Sequence, residues 1–211
     1  MRPRFHESSQ ELQPVAMLTP LIARIIWAAG IVGWYAIRYP FQRRAARQPV
    51  ARAAARNADR VVLAIAALGQ FAIPAVYAAA GWPRAADYGF SPLLAWLGVI
   101  LLVAALVLFR ITHVHLGRNW SISLETREQH ALVTGGVYSW VRHPMYSSFL
   151  LSALAQLCLL QNWLAGPAGL IGFAVLFFFR VNREEGLMID TFGQQYRDYS
   201  RRTARIVPWL Y

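Results

Sequence analysis

The sequence contains no lysine: all 21 of its lysine-or-arginine positions are arginine. Such complete usage reads as the codon bias of a GC-rich genome rather than as mechanism. Acidic residues are also scarce, ten against those 21 bases, which leaves a formal net charge of +11. There is a single cysteine, Cys158, which excludes an intrachain disulfide framework and a cysteine metal site. It lies in an apolar run, where a cysteine serves as a small hydrophobe. No G-x-G-x-x-G opens a helix after a strand pattern, and neither a P-loop nor an H-E-x-x-H segment occurs. His113 and His115 on "ITHVHLG" are two apart. On a helix they point to different sides, so no metal site is expected. The opening "MRPRFHESSQELQPVA" carries acids and prolines and no short apolar core, unlike a signal peptide.

What is abundant is apolar surface. Hydrophobic residues make up 57% of the 211, above the usual share for a soluble domain. An excess of base points to nucleic acid, to an anionic membrane surface or to the inner loops of a membrane protein. The arginine-rich "RRAARQPVARAAARNADR" has no interleaved aromatics, and no nucleic-acid partner is expected. Apolar runs long enough to cross a bilayer, about 20 residues each, occur at residues 17–37, 61–81 and 92–111. A fourth region, 146–179, is too long for one span and is interrupted by "LQNWLAGP", residues 160–167. These are turn signals, which predict two helices joined by a tight turn near residues 161–163. The expected fold is therefore all-α and integral to the membrane. It has five transmembrane helices, the fourth and fifth forming a hairpin, and a cytoplasmic C-terminal amphipathic helix over residues 184–202.

Arginine placement sets the expected orientation. The loop from Arg38 to Arg60 holds seven arginines against one acid, Asp59, whereas residues 82–91 hold only Arg84. The first loop is then cytoplasmic, with the N-terminus outside and the C-terminus inside. Seventeen of the 21 arginines fall on the inner side, three outside, and Arg24 within the first span. Two parts are expected: residues 1–112, three helices and a basic loop, and residues 113–211, which hold the chemistry.

Three segments carry candidate chemistry. In "RHPMY", residues 142–146, Pro144 suits the first helical position, where its missing N–H costs nothing. His143 then lies at the N-cap, and His143 and Tyr146 project from nearby faces of the first turn. That helix end favours an anion. An interfacial histidine and tyrosine at an ordinary helix start would look the same. In "RVNREEGLMIDTFGQQYRDY", residues 180–199, Arg180 and Glu184 are one turn apart, as in any i,i+4 ion pair. Met188, Phe192, Tyr196 and Tyr199 continue as a stripe at helical spacing, which fits packing. In "REQHALVTGGVYSW", residues 127–140, Gly135 and Gly136 permit a tight turn between His130 and Tyr138. Gly166, Gly169 and Gly172 in "GPAGLIGF" form a helix-packing surface.

Taken together and in order, "HALVTGGVYSWVRHPMY", then "REEGLMIDTFGQQYRDYSRR" and a proline–aromatic tail resemble the isoprenylcysteine carboxyl methyltransferase family. Phospholipid N-methyltransferases are its wider kin. The resemblance covers residues 115–208. It implies an S-adenosylmethionine-dependent methyltransferase without a Rossmann domain. The cofactor residues it implies are His130, Ala131, Leu132, Val133, Tyr138, His143, Pro144, Met145, Tyr146 and Glu184. Arg180 would contact a substrate carboxylate, and Arg180 and Glu184 form the implied catalytic pair. Ser123 stands where some members have a cofactor-site glutamine, and Ser148 where a glycine is usual. The implied acceptor is lipophilic, a small molecule or lipid with a carboxylate or thiol on a prenyl-like body. A phospholipid amine is an alternative. An NADPH-dependent sterol reductase, which typically carries "RHPNYxGE", is a more distant one, since Met145 and Ser147–Phe149 depart from that pattern. The membrane lipids are the other expected partners, and a bacterial inner membrane the expected location.

Overall fold

The structure is a computed structural model that describes residues 18–45, 57–117 and 131–209. The helices are α1 (Pro20–Ala45), α2 (Asn57–Ala67), α3 (Ile73–Ala80), α4 (Pro92–Leu116), α5 (Pro144–Leu159), α6 (Ala165–Phe192) and α7 (Gln194–Arg202). A single π-turn, Leu68–Ala72, joins α2 to α3 without a break. Among the described residues no strand forms; two isolated bridges pair Asp87 with Asn162 and Val141 with Ala204.

Among the described residues, four segments are long and apolar enough to cross a membrane: Pro20–Ala45, Asp59–Ala80, Pro92–Leu116 and Ala165–Phe192. Their outward side chains are apolar, among them Val32, Ile100, Val107 and Phe178. Such a surface is covered by lipid, not water. The chain is thus an all-helical integral membrane protein. The fourth expected span, α5, has 16 residues and is about 24 Å long, short of a hydrocarbon core of about 30 Å. The expected amphipathic helix over residues 184–202 is not one separate element. The last span continues through Glu184 to Phe192, then Gly193 at φ 56° turns the chain into α7, a nine-residue helix. Glu184 and Glu185 consequently ride on the rigid end of a membrane helix.

The predicted turn at residues 161–163 is present, and its polar residues explain why it stays buried. Asn162 Oδ1 accepts from the backbone N–H groups of Leu164 and Ala165, both at 3.0 Å. It thereby caps the start of α6. Its Nδ2 donates to Asp87 Oδ1 at 2.8 Å and to the Pro83 carbonyl at 3.0 Å. Gln161 pairs with the Ser91 backbone in both directions, at 2.7 and 3.0 Å. Ser91 in turn caps α4, so one polar knot fixes where α4 and α6 begin.

Inside the helical layer, small residues let backbones meet. A Cβ on Gly69 would overlap the Ala168 carbonyl of α6, and one on Gly98 would lie 2.8 Å from Leu159 Cγ of α5. Gln156, fully buried on α5, donates to the carbonyls of Gly69 at 3.1 Å and Ala165 at 2.7 Å. With no water at hand, these bonds satisfy carbonyls that would otherwise be costly to bury.

Gly69→Ala is expected to lower stability by about 1–3 kcal/mol through overpacking at that helix crossing. Gly89→Ala, at a position with open space around it, should be close to neutral. Thermal unfolding in detergent compares the two, and equal melting temperatures would contradict the packing assignment.

Candidate active site

The site is assembled where the hairpin α5–α6 ends. The turn Leu160–Leu164 fixes the two helices against each other, so the start of α5 lies beside the second half of α6. His143 is the N-cap of α5 and Pro144 its first residue, and the cap makes no side-chain bond to the first turn. The donors of that turn are available to an outside anion.

Glu184 faces this helix start. Tyr146 Oη donates to Glu184 Oε1 at 2.9 Å. Arg180 Nε lies 2.9 Å from the same oxygen, an ion pair along α6. The Arg180 N–H is nonetheless not aligned on that oxygen, and Nε is buried without a hydrogen-bond partner. Distance alone makes it a charge contact and leaves its donor direction unused. His143 Nδ1 stands 3.7 Å from Glu184 Oε2, too long for a hydrogen bond, and its ring meets Tyr146 edge-on at 5.6 Å. Both carboxylate and imidazole are mostly shielded, with side-chain exposures of 19% and 10%. Their interactions are accordingly stronger than on an open surface.

Glu185, the next residue, has a different set of partners. Arg142 Nε and Nη2 reach its Oε1 at 3.0 and 2.9 Å, and His143 Nε2 lies 3.2 Å from the same atom. Arg205 Nη2 holds Oε2 at 2.9 Å. Arg142 Nη1 also donates to the carbonyls of Ser200, at 2.9 Å, and Thr203. The tail is stitched to the start of α5 by its backbone as well. The N–H groups of Arg142 and His143 donate to the carbonyls of Ala204 at 2.7 Å and Arg205 at 2.9 Å. Ser147 Oγ donates to the Ile206 carbonyl at 2.5 Å.

Tyr138 enters from a 3-10 turn, Gly136–Ser139, ahead of α5. Gly136, at φ 62°, has no room for a Cβ because the His115 ring at the end of α4 fills that space. The Tyr138 carbonyl accepts from Tyr199 Oη at 2.6 Å. Burial, helped by Tyr199 and the Glu184 charge, holds the Tyr138 phenol protonated well above its ordinary range. It is therefore a hydrogen-bond donor near Glu184 and not a base.

Of the residues singled out in the sequence, Tyr138, His143, Pro144, Tyr146, Arg180 and Glu184 converge here. Met145 is beside them, its carbonyl accepting from Ser148 Oγ at 2.7 Å. Ala131, Leu132 and Val133 form irregular chain leading into the Gly135–Gly136 turn. His130 and Ser123 lie outside the described residues. Arg142, Glu185 and Arg205 were not assigned roles from sequence. The available signal was scarcity: "REE" spends two of only ten acidic residues on adjacent positions.

An all-helical membrane protein with a carboxylate, imidazole and guanidinium gathered at the mouth of a helical hairpin is the class these features define. Comparisons with known proteins narrow it. Residues 96–190 match the isoprenylcysteine carboxyl methyltransferase (ICMT) family. The chain is 31% identical over 122 residues to the protein-S-isoprenylcysteine O-methyltransferase of Dictyostelium discoideum, covering 55% of this chain and 50% of that one. It is 33% identical over 119 residues to protein-S-isoprenylcysteine O-methyltransferase B of Arabidopsis thaliana, covering 54% and 58%. The solved structure of a eukaryotic intramembrane Ras methyltransferase, ICMT, superposes with a TM-score of 0.60 at 25% identity, covering 93% of this chain and 70% of that one. Residues 96–190 of the chain are thus similar to the isoprenylcysteine carboxyl methyltransferase family, and the fold of the chain is similar to that of the solved ICMT structure. The chain spans about half the length of the first of these curated relatives.

Glu185→Gln should remove most of the charge pairing that docks residues 203–206, at a cost of about 3 kcal/mol. Hydrogen exchange of that tail is expected to accelerate while the α4–α5 contact stays protected. Unchanged exchange in the tail would contradict the assignment.

Proposed function

We propose that this protein is an integral membrane S-adenosylmethionine-dependent methyltransferase, and that its acceptor is a lipophilic molecule bearing an anionic group, a carboxylate or thiol on a prenyl-like body. The observation that carries the reading is the half-buried Glu184 carboxylate, with Tyr146, His143 and Arg180 around it, set against an α5 start that lacks a side-chain cap. The charges fit the group. A zwitterionic amino acid needs an anion site and a cation site side by side, which the α5 N-terminus and Glu184 provide. The proposed cofactor residues are His130, Ala131, Leu132, Val133, Tyr138, His143, Pro144, Met145, Tyr146 and Glu184.

When bound, the cofactor supplies a methyl group already activated on a sulfonium. The protein's tasks are then position, electrostatics and exclusion of water. Tyr146 and Arg180 fix the Glu184 carboxylate, and Glu185 fixes His143 from its other side. Arg180 holds the acceptor anion by its guanidinium charge, positioning the nucleophile without accepting a proton. A carboxylate or thiolate acceptor needs no general base. Tyr138, kept neutral by burial, donates and does not compete as nucleophile. Residues 194–209 cover the site and limit water.

In this reading α5 is the fourth of five spans, made sufficient by local thinning or by the polar mouth at its start. Arginine bias places the N-terminus outside and the site at the cytoplasmic face. The end of α6 with α7 forms the amphipathic cytoplasmic cover, and a bacterial inner membrane is the proposed location.

Calorimetry on detergent-purified variants tests the site. Glu184→Gln and His143→Ala are each expected to weaken S-adenosylmethionine binding about tenfold or more, the scale of a lost charge-assisted bond. Arg180→Ala is expected to leave that affinity within a few-fold and to depress turnover instead. Cofactor affinity unchanged in the first two variants, or lost in the third, would overturn these roles.

A further inference from the structure

Where α1 and α4 end side by side, arginines from the two helices converge on one aromatic ring. Phe41 of α1 packs on His113 of α4, with ring centroids 5.0 Å apart. Arg44, one turn beyond Phe41, stands over its ring with the guanidinium carbon 5.9 Å from the centroid. Arg110, one turn before His113, approaches the same ring to 5.5 Å. Arg142, Arg180, Arg183, Arg201 and Arg205 each face a carboxylate. Among the described residues Arg44 and Arg110 have no carboxylate partner, and both are exposed. A snorkelling arginine reaches water alone; here two helices bring theirs to one ring. Guanidinium groups gathered in this way repel each other, and an anion between them removes that cost.

Their depth is set by neighbouring residues. Tyr35 and Tyr39 are exposed on α1, as in the aromatic belt that marks the edge of the hydrocarbon. Arg44 lies about 7.5 Å further along the helix than Tyr39, at the level of lipid headgroups. On α4 the exposed Ile100, Val103 and Val107 share one face at helical spacing, and Arg110 continues that face one turn on. An acyl chain lying on this stripe would end at a cation.

We infer that Arg44, Arg110 and Phe41 form a binding site for the headgroup phosphate of an anionic phospholipid, whose acyl chain lies along Ile100, Val103 and Val107. Each guanidinium takes one non-bridging oxygen of the phosphate diester. The Phe41 ring holds both guanidinium groups by cation–π contact. Bound in this way, the lipid ties the end of α1 to the end of α4. The inference is independent of the methyltransferase reading, since no residue of the proposed cofactor or acceptor site takes part.

Native mass spectrometry of the full chain in detergent, titrated with phosphatidylglycerol or phosphatidylcholine of the same acyl chains, tests it. The first phosphatidylglycerol is expected to bind about tenfold or more tightly than the first phosphatidylcholine, the scale of two basic residues at an anionic surface. Arg44→Gln combined with Arg110→Gln should remove that preference, and Arg44→Lys with Arg110→Lys should keep part of it. Arg84→Gln, a charge lost from the turn at the other end of the helices, should leave it unchanged. Phosphatidylglycerol bound no more tightly than phosphatidylcholine, an unchanged preference in the double glutamine variant, or an equal loss in Arg84→Gln overturns the site. Inorganic phosphate that displaces the lipid at millimolar concentration would assign the cluster to a soluble anion and overturn the lipid as its occupant.

Discussion

Glu184 and Glu185 stand side by side on the end of a membrane helix, and their partners divide cleanly. A step of one residue on an α-helix turns a side chain by about 100°, which aims one carboxylate at Tyr146 and Arg180 and the other at Arg142 and Arg205. His143 sits between them, 3.7 Å from one and 3.2 Å from the other. Shielded charges are costly unless paired. Each carboxylate therefore fixes the position of its partners as firmly as they fix it. The start of α5, the tail over residues 203–206 and the direction of Arg180 all follow from this pair.

The membrane part supplies the rigidity that such a cluster requires. The Asn162 and Gln161 knot sets the beginnings of α4 and α6, and Gln156 of α5 ties the π-turn at Gly69 to the first residue of α6. Helices pinned at one end and at the middle deliver their other ends with little freedom. The π-turn at Leu68–Ala72 fits the same logic, since it carries both Gly69 and Gln70. Gln70 reaches Ser152 at 3.1 Å and Gln156 at 3.3 Å. A polar network here binds helices together where apolar contact with a partner gains nothing over contact with lipid.

Much of this was legible in the sequence because the bilayer imposes a strong pattern. Apolar runs marked the spans, Pro144 marked the start of α5 to the residue, and "LQNWLAGP" marked the hairpin turn. The convergence of Tyr138, His143, Tyr146, Arg180 and Glu184 was legible through resemblance, not through periodicity. Other features left no local signal. Glu184 and Glu185 are indistinguishable in sequence; only the helix rotation gives them different partners. Residues 184–202 have the alternation of a surface helix, yet α6 runs on to Phe192, because no residue before Gly193 breaks it. The role of Arg205 depends on a tail contact more than 60 residues away in the chain, to Arg142 and His143. An apolar cavity lined by residues of five helices depends on how they pack, which no single stretch encodes.

α1 completes the apolar cavity, whose other walls come from α2, the π-turn, α4, α5 and α6. The central claim is that an activated methyl group is passed here to an anionic group on an apolar body. The most direct measurement incubates the purified protein in bilayers with methyl-labelled S-adenosylmethionine and an apolar thioether carboxylate, then treats the extracted product with base. Label that enters the apolar product and is released by base as volatile methanol is the predicted result, since a carboxyl methyl ester hydrolyses and an N-methyl amine does not. Absence of label from the extract, both with this acceptor and with an apolar thiol in its place, or label on the carboxylate acceptor that base leaves in place, would contradict the account.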